Sequence, residues 1–230
     1  MNFYLMSSTI RFFVSSLLLT ATFGVAAQKK FVPHTLMVGV EVPSIARSFL
    51  FSKRNVGELQ AAINVLSHHL AFEYGFEDIN RRDSLYTFKT NGSYWRGGID
   101  LALNPKNPRG DVIFFGLRHG RATFKNSLDA RFQSEPYGNP QLSWSNKNMR
   151  GRWWEITFGL KVNVAKNLML GYTTRFKLTP TITGGDTLAP YDLPGYGRAR
   201  KSTNFGFSFY AYYKLRFRKE REKPDDGNTL

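Results

Sequence analysis

The chain has 230 residues, no cysteine, 15% aromatic side chains and a formal net charge of +15. That length suits one domain of ordinary size, and the missing cysteine excludes disulfides, thiolate metal centres and a lipidated N-terminal cysteine. So large a positive charge points to an anionic neighbour, either nucleic acid, anionic lipid or lipopolysaccharide.

Residues 1–27 read as an export signal. Arg11 is the only charge in the opening MNFYLMSSTIR, and Phe12 to Val25 form an apolar core. Val25 and Ala27 occupy the small-residue places of a cleavage site, so a signal peptide cleaved after Ala27 is expected. The apolar run falls short of the ~20 residues that a spanning helix needs. Residues 28–33 then form an N-terminal periplasmic segment, and no later apolar run reaches spanning length.

From there the sequence alternates with period two, the strand signal. Leu36, Val38, Val40 and Val42 share one face, with Met37, Gly39 and Glu41 on the other. Residues 58–65 set Leu59, Ala61, Ile63 and Val65 against Gln60, Ala62 and Asn64. Residues 70–77 set Leu70, Phe72, Tyr74 and Phe76 against Ala71, Glu73, Gly75 and Glu77. In 95–103 the hidden positions are Arg96, Gly98, Asp100 and Ala102; in 111–120 they are Gly116, Arg118 and Gly120. In 152–164 Trp153, Glu155, Thr157, Gly159, Lys161 and Asn163 are hidden; in 168–178 Met169, Gly171, Thr173, Arg175 and Lys177. The eighth stretch, 204–217, alternates Phe205, Phe207, Phe209, Ala211, Tyr213, Leu215 and Phe217 with a polar, finally basic, face.

Connections alternate too. Those near 66–69, 104–110 and 165–167 are short, whereas 43–57, 78–91, 123–150 and 179–202 are long and polar. An even strand number, short turns at one end and long loops at the other predict an all-β fold. It is an eight-stranded antiparallel transmembrane β-barrel over residues 34–217, with short periplasmic turns and long extracellular loops. In lipid a sheet has to close on itself, because every backbone polar group needs an internal partner. A soluble sandwich or lipocalin-like barrel is the competing reading, with the apolar face turned inward. Glycines and charges sharing one face favour the membrane version. So do Tyr94, Trp95, Trp153 and Trp154, expected at the interface beside the long loops, and Phe217 closing the last strand.

The segments YWRGGIDLAL, FFGLRHGRATF, WWEITFGLKVNVAKNLMLGYTTRFKL and DLPGYG together resemble an uncharacterised family of small outer-membrane β-barrels of the Bacteroides phylum, a domain of unknown function. The resemblance spans about residues 34–217. It implies an eight-stranded barrel and no established reaction, and it hints at an envelope machine linked to outer-membrane protein assembly. The assembly signal of such barrels carries glycine five residues before the final aromatic; here that place is Tyr212. Residues 218–230 follow Phe217, mix charge signs and contain Pro224, predicting a disordered periplasmic tail.

Inside the barrel, counting up from the turns predicts two ion-paired layers plugging the lumen. Glu73, Asp100, Lys161 and Lys214 form the lower layer, and Glu77, Arg96, Arg118, Glu155 and Arg175 the upper. Structural filling is the favoured reading of this network, and a gated pore or proton path the alternative. A catalytic site is not expected. His34 opens a strand, His68 and His69 fall in a turn, and His119 faces lipid without a partner serine, since position 121 is arginine. No metal site or cofactor is expected either, because no third ligand accompanies His68 and His69. Nucleic acid is excluded for an exported barrel without a recognition module. The basic loops, with Arg47, Lys53, Arg54, Arg81, Arg82, Lys125, Arg131, Lys147, Arg150, Arg198, Arg200 and Lys201, suit outer-membrane lipid and lipopolysaccharide, or form a merely solvated rim. Ile45, Phe49 and Leu50 near helical spacing, with Tyr191 and Tyr196, are loop candidates for contact with other envelope proteins, although packing over the chain's own barrel mouth is preferred. The expected function is a non-catalytic structural or accessory subunit of an envelope complex, with a small-solute channel and a lipid-modifying enzyme as alternatives.

Overall fold

The computed structural model describes residues 33–50, 54–66, 68–105, 107–131 and 141–217. The expected signal peptide (1–27), most of the 28–33 lead and the 218–230 tail lie outside the described residues. In chain order the strands are β1 (Thr35–Glu41), β2 (Arg54–Val65), β3 (His68–Arg82), β4 (Tyr86–Ala102), β5 (Val112–Arg131), β6 (Gln141–Ala165) and β7 (Leu168–Thr183). A two-residue hairpin follows, β8 (Asp192–Leu193) and β9 (Gly197–Arg198), and then β10 (Thr203–Arg216). Helix α1 (Val42–Leu50) joins β1 to β2.

All strands but β8 and β9 close into one antiparallel barrel, in the order β1-β10-β7-β6-β5-β4-β3-β2. Neighbours in sequence pair throughout, and the ring shuts where β1 meets β10, from Thr35 opposite Arg216 to Glu41 opposite Tyr210. Closure removes both sheet edges, so each strand satisfies its backbone groups on either side.

The period-two pattern sorts the wall. Phe72, Phe76, Leu117, Phe158, Leu170, Phe205 and Phe207 point outward and are exposed, while Met37, Gln60, Glu73, Arg96, Asp100, Arg118 and Arg175 are buried within. An apolar band around the whole outer wall is far more than a water-soluble monomer exposes, and hydrocarbon is the medium that covers it. On β6 the outward apolar positions run from Val164 to Trp154. Ten residues at ~3.3 Å, tilted ~40°, rise ~25 Å, the height of a membrane's apolar band.

The periplasmic turns are tight. Leu66 takes a positive φ of 59° between β2 and β3. Between β4 and β5, Asn104 Nδ2 donates to the Asp111 carbonyl (3.0 Å) and the Ile113 amide donates to Asn104 Oδ1 (2.7 Å). His68 and His69 do not fall in a turn as expected; they open β3, where the Ala102 amide donates to His68 Nδ1 (3.2 Å).

At the other end the structure corrects the expected loops. Residues 78–91 form a hairpin, because β3 runs to Arg82 and β4 starts at Tyr86. Strands β5 and β6 likewise extend to Arg131 and from Gln141, so Lys125, Arg131, Lys147 and Arg150 sit on strands rather than loops. The outer face here is largely polar and the inner face mixes buried Ile79, Phe88, Phe124 and Met149 with Thr90, Asn126 and Asn146; this hid the extension from a period-two reading, since above the bilayer the outer face need not be apolar.

Candidate functional site

The lumen is filled by charge. Glu73 on β3 and Arg96 on β4 are cross-strand partners, and Arg96 Nε lies 2.6 Å from Glu73 Oε2. Arg96 also reaches Glu58, and its Nη1 lies 3.3 Å from Glu155 Oε1. Arg175 brackets the same carboxylates from β7, with Nη1 3.1 Å from Glu155 Oε2 and Nη2 2.9 Å from Glu73 Oε1. Arg118 pairs with Glu73 and sets Nη2 2.8 Å from Asp100 Oδ1. Lys161 Nζ completes the lower edge, 3.1 Å from Asp100 Oδ2.

Four carboxylates (Glu58, Glu73, Asp100, Glu155) thus meet four cations (Arg96, Arg118, Lys161, Arg175). The plug is neutral overall, which fits its burial, because an uncompensated charge in so dry a place is very costly. Neutral donors finish it. Tyr94 and Tyr210 hydroxyls donate to Glu58, the Tyr212 hydroxyl to Gln60, and Trp153 Nε1 to Glu155 Oε1 at 2.7 Å. Gln60 Nε2 donates to Glu73 Oε1 at 2.6 Å. Eight strands leave an interior only as wide as such side chains.

Two expectations change here. The lumen charges form one connected network, because Arg96, Arg118 and Arg175 of the expected upper layer pair with Glu73 and Asp100 of the expected lower one. Strand tilt and stagger bring residues at different heights along their strands to one level. Tyr94 and Trp153 are not interface aromatics: they are buried inside, at 3% and 1% exposure. Their strands continue well above them, so the positions that seemed to be strand ends lie mid-strand. Trp95, Trp154 and Phe217 do face outward. Lys214 sits apart from the plug and donates to Asn163 near the periplasmic end, and Glu77 lines a chamber above the plug.

Glu58 is the charged member that sequence reading missed. It shares parity with Gln60 and Ala62 and so pointed inward all along. Tyr210 and Tyr212 carried the same signal on the polar face of the last strand.

Above the plug, residues 184–202 fold back over the mouth. Leu193 and Tyr196 are buried, and the Tyr196 ring meets Trp153 edge-on at 5.9 Å while its hydroxyl donates to the Lys201 carbonyl (2.7 Å). Tyr196 is therefore no exposed contact residue; it is part of the barrel's own cap. Arg81 Nε holds Asp192 Oδ2 at 2.8 Å, tying the hairpin to β3. Tyr191 stays at the rim, with the Arg81 guanidinium 4.9 Å from its ring centre. Phe49 and Leu50 fall on α1, and their side chains lie outside the described residues. Between cap and plug a chamber of about 240 Å³ is lined by Glu41, Ser44, Glu77, Lys177 and Tyr196. Below the plug a vestibule of about 770 Å³ opens toward the periplasmic side, lined by His34, His69, Arg109, Lys214 and Arg216.

A closed sheet, an apolar outer band and a neutral packed interior define a membrane-spanning β-barrel with a plugged lumen. Within that class, the chain belongs to the family described as a domain of unknown function (DUF6048), whose model matches residues 6–220. No curated protein matches it. Among solved structures it is similar to CarO of Acinetobacter baumannii, at 9% identity, covering 80% of this chain and 98% of that one with a TM-score of 0.41. It is also similar to the N-terminal barrel domain of Pseudomonas aeruginosa OprF (7% identity, 80% and 100% covered, TM-score 0.26). Neisserial surface protein A is a further likeness (11% identity, 80% and 96% covered, TM-score 0.30). These likenesses are distant, and the barrel assignment rests on the strand register given above.

Proposed function

We propose that the protein is a non-catalytic outer-membrane β-barrel, exported through a signal peptide cleaved after Ala27, that serves as a structural or accessory subunit of an envelope complex. The observation that carries this reading is the plug. Its arginines and carboxylates are spent on one another, and among the described residues they fill the lumen between the small chamber under the cap and the periplasmic vestibule. Function then falls to surfaces: the outer wall, the cap and the basic periplasmic vestibule. An outer-membrane protein of fixed shape offers these best as docking faces for another envelope protein, and a link to outer-membrane protein assembly fits a vestibule that faces the periplasm.

Gentle solubilisation of native membranes, followed by capture of the tagged protein, tests the proposal. A second envelope protein in fixed ratio, retained after stringent washing, is the expected result. A barrel that emerges alone under several mild detergents contradicts it.

A further inference from the structure

On the outer wall of β5 and β6, Arg121 and Arg152 stand directly opposite one another, and both are exposed. Cross-strand partners have Cβ atoms only about 5 Å apart, and like charges placed so repel. Arg150 follows one outward position higher on β6, and Lys125 two positions above Arg121 on β5. Among the described residues the nearest outward carboxylate on β4, β5 or β6 is Asp129, four outward positions above Arg121 and already bonded by Ser143 Oγ (2.7 Å). The wall therefore holds a concentrated positive patch without an internal counter-charge.

Its height identifies the counter-charge. His119 and Trp154 lie one outward position below the pair, and Trp95 stands opposite Arg121 on β4; together they form an aromatic shelf with His119 between Trp95 and Trp154, ring centres 6.2 and 4.8 Å away. Beneath the shelf the outward residues of β5 are Leu117, Phe115 and Ile113. Tryptophan marks the boundary between hydrocarbon and headgroups. The arginine pair sits one outward step above His119 and Trp154, ~5 Å higher at a ~40° strand tilt, in the headgroup layer. The patch faces sideways, so its ligand is a component of the membrane. Arginine forks match phosphate oxygens two at a time, and one phosphate between the two guanidiniums turns their repulsion into a chelate. The Arg121 guanidinium also lies 5.9 Å from the centre of the Trp95 ring, within cation–π reach.

We infer that Arg121 and Arg152, supported by Arg150 and Lys125 and seated on Trp95, His119 and Trp154, form a binding site on the barrel wall for the phosphate groups of lipid A in the outer leaflet. Its central pair, Arg121 and Arg152, lies outside the basic set considered from sequence, whereas Arg150 and Lys125 come from that set and stand on strands. The site requires the membrane-embedded barrel but no protein partner, so a failed capture of a partner leaves it standing.

Native mass spectrometry and tryptophan fluorescence of the full-length barrel in detergent, titrated with bisphosphorylated lipid A, its monophosphorylated form and phosphatidylglycerol, test the site. Wild type is expected to bind the bisphosphorylated form best. Arg121→Gln with Arg152→Gln should weaken that binding about tenfold or more, whereas Arg200→Gln with Lys201→Gln in the mouth loop should leave it unchanged. Arg121→Lys with Arg152→Lys keeps charge but loses the fork, and should fall between. Heat-modified gel mobility verifies that each variant has folded. Equal binding by wild type and either wall pair overturns the proposal. So does equal loss in the loop pair, or phosphatidylglycerol bound as tightly as lipid A.

Discussion

Glu73 is the most heavily used residue of the lumen, since Arg96, Arg118 and Arg175 all converge on it. Glu73→Gln leaves those guanidiniums short of one negative charge in a dry interior. The expected cost is about 3–5 kcal/mol, read as a lower urea midpoint for the detergent-folded barrel. Adding Arg118→Met to that variant should restore part of the loss, because removing both partners leaves less charge stranded. Glycines set the other limit at this scale. A Cβ at Gly98 would overlap the Leu117 carbonyl and the Arg118 backbone, neither of which can move aside, while one at Gly206 would meet only the tip of Lys177 at 3.6 Å. Gly98→Ala should therefore destabilise by about 1–3 kcal/mol and Gly206→Ala by much less, a contrast that the same urea series measures. Which charges point inward was legible from parity, Glu58 included. Which charge meets which was not, since Arg118 reaches Glu73 across an intervening strand, and that depends on tilt and stagger that local sequence does not encode.

Each barrel strand was visible as an element because lipid on one side and a polar plug on the other enforce strict alternation. The pattern failed where that constraint stops. Above the membrane β3, β4, β5 and β6 keep pairing with a largely polar outer face and an inner face that mixes Ile79, Phe88, Phe124 and Met149 with Thr90, Asn126 and Asn146, so residues 78–91 and 123–150 looked like loops. The cap is the element whose role was partly legible: Gly and Pro punctuation marked a folded segment, while the burial of Tyr196 against Trp153 rested on a tertiary contact. The cap hangs on Arg81 and Asp192. Asp192 is buried and Arg81 half exposed, so the pair contributes about 1 kcal/mol after solvent screening. Asp192→Asn should loosen the hairpin without unfolding the barrel. Trypsin is expected to cut after Arg198 or Arg200 several times faster in that variant, with the urea midpoint of the strands unchanged.

For the whole molecule, the central claim is a barrel blocked midway by its own side chains and capped at one mouth, with its work done on the outside. The periplasmic vestibule is open, but its lining stops at buried residues such as Met37, His69 and Met169, and the cap covers the opposite mouth. Current through single barrels in planar bilayers tests this most directly. The wild-type protein is predicted to give a silent baseline under voltage. The combined substitution of Arg96, Arg118 and Glu73 by alanine, in a variant verified as folded, should open a measurable leak. Steady ion-conducting steps from the wild-type protein, lost when the purified barrel is removed, would contradict the sealed plug and the account built on it.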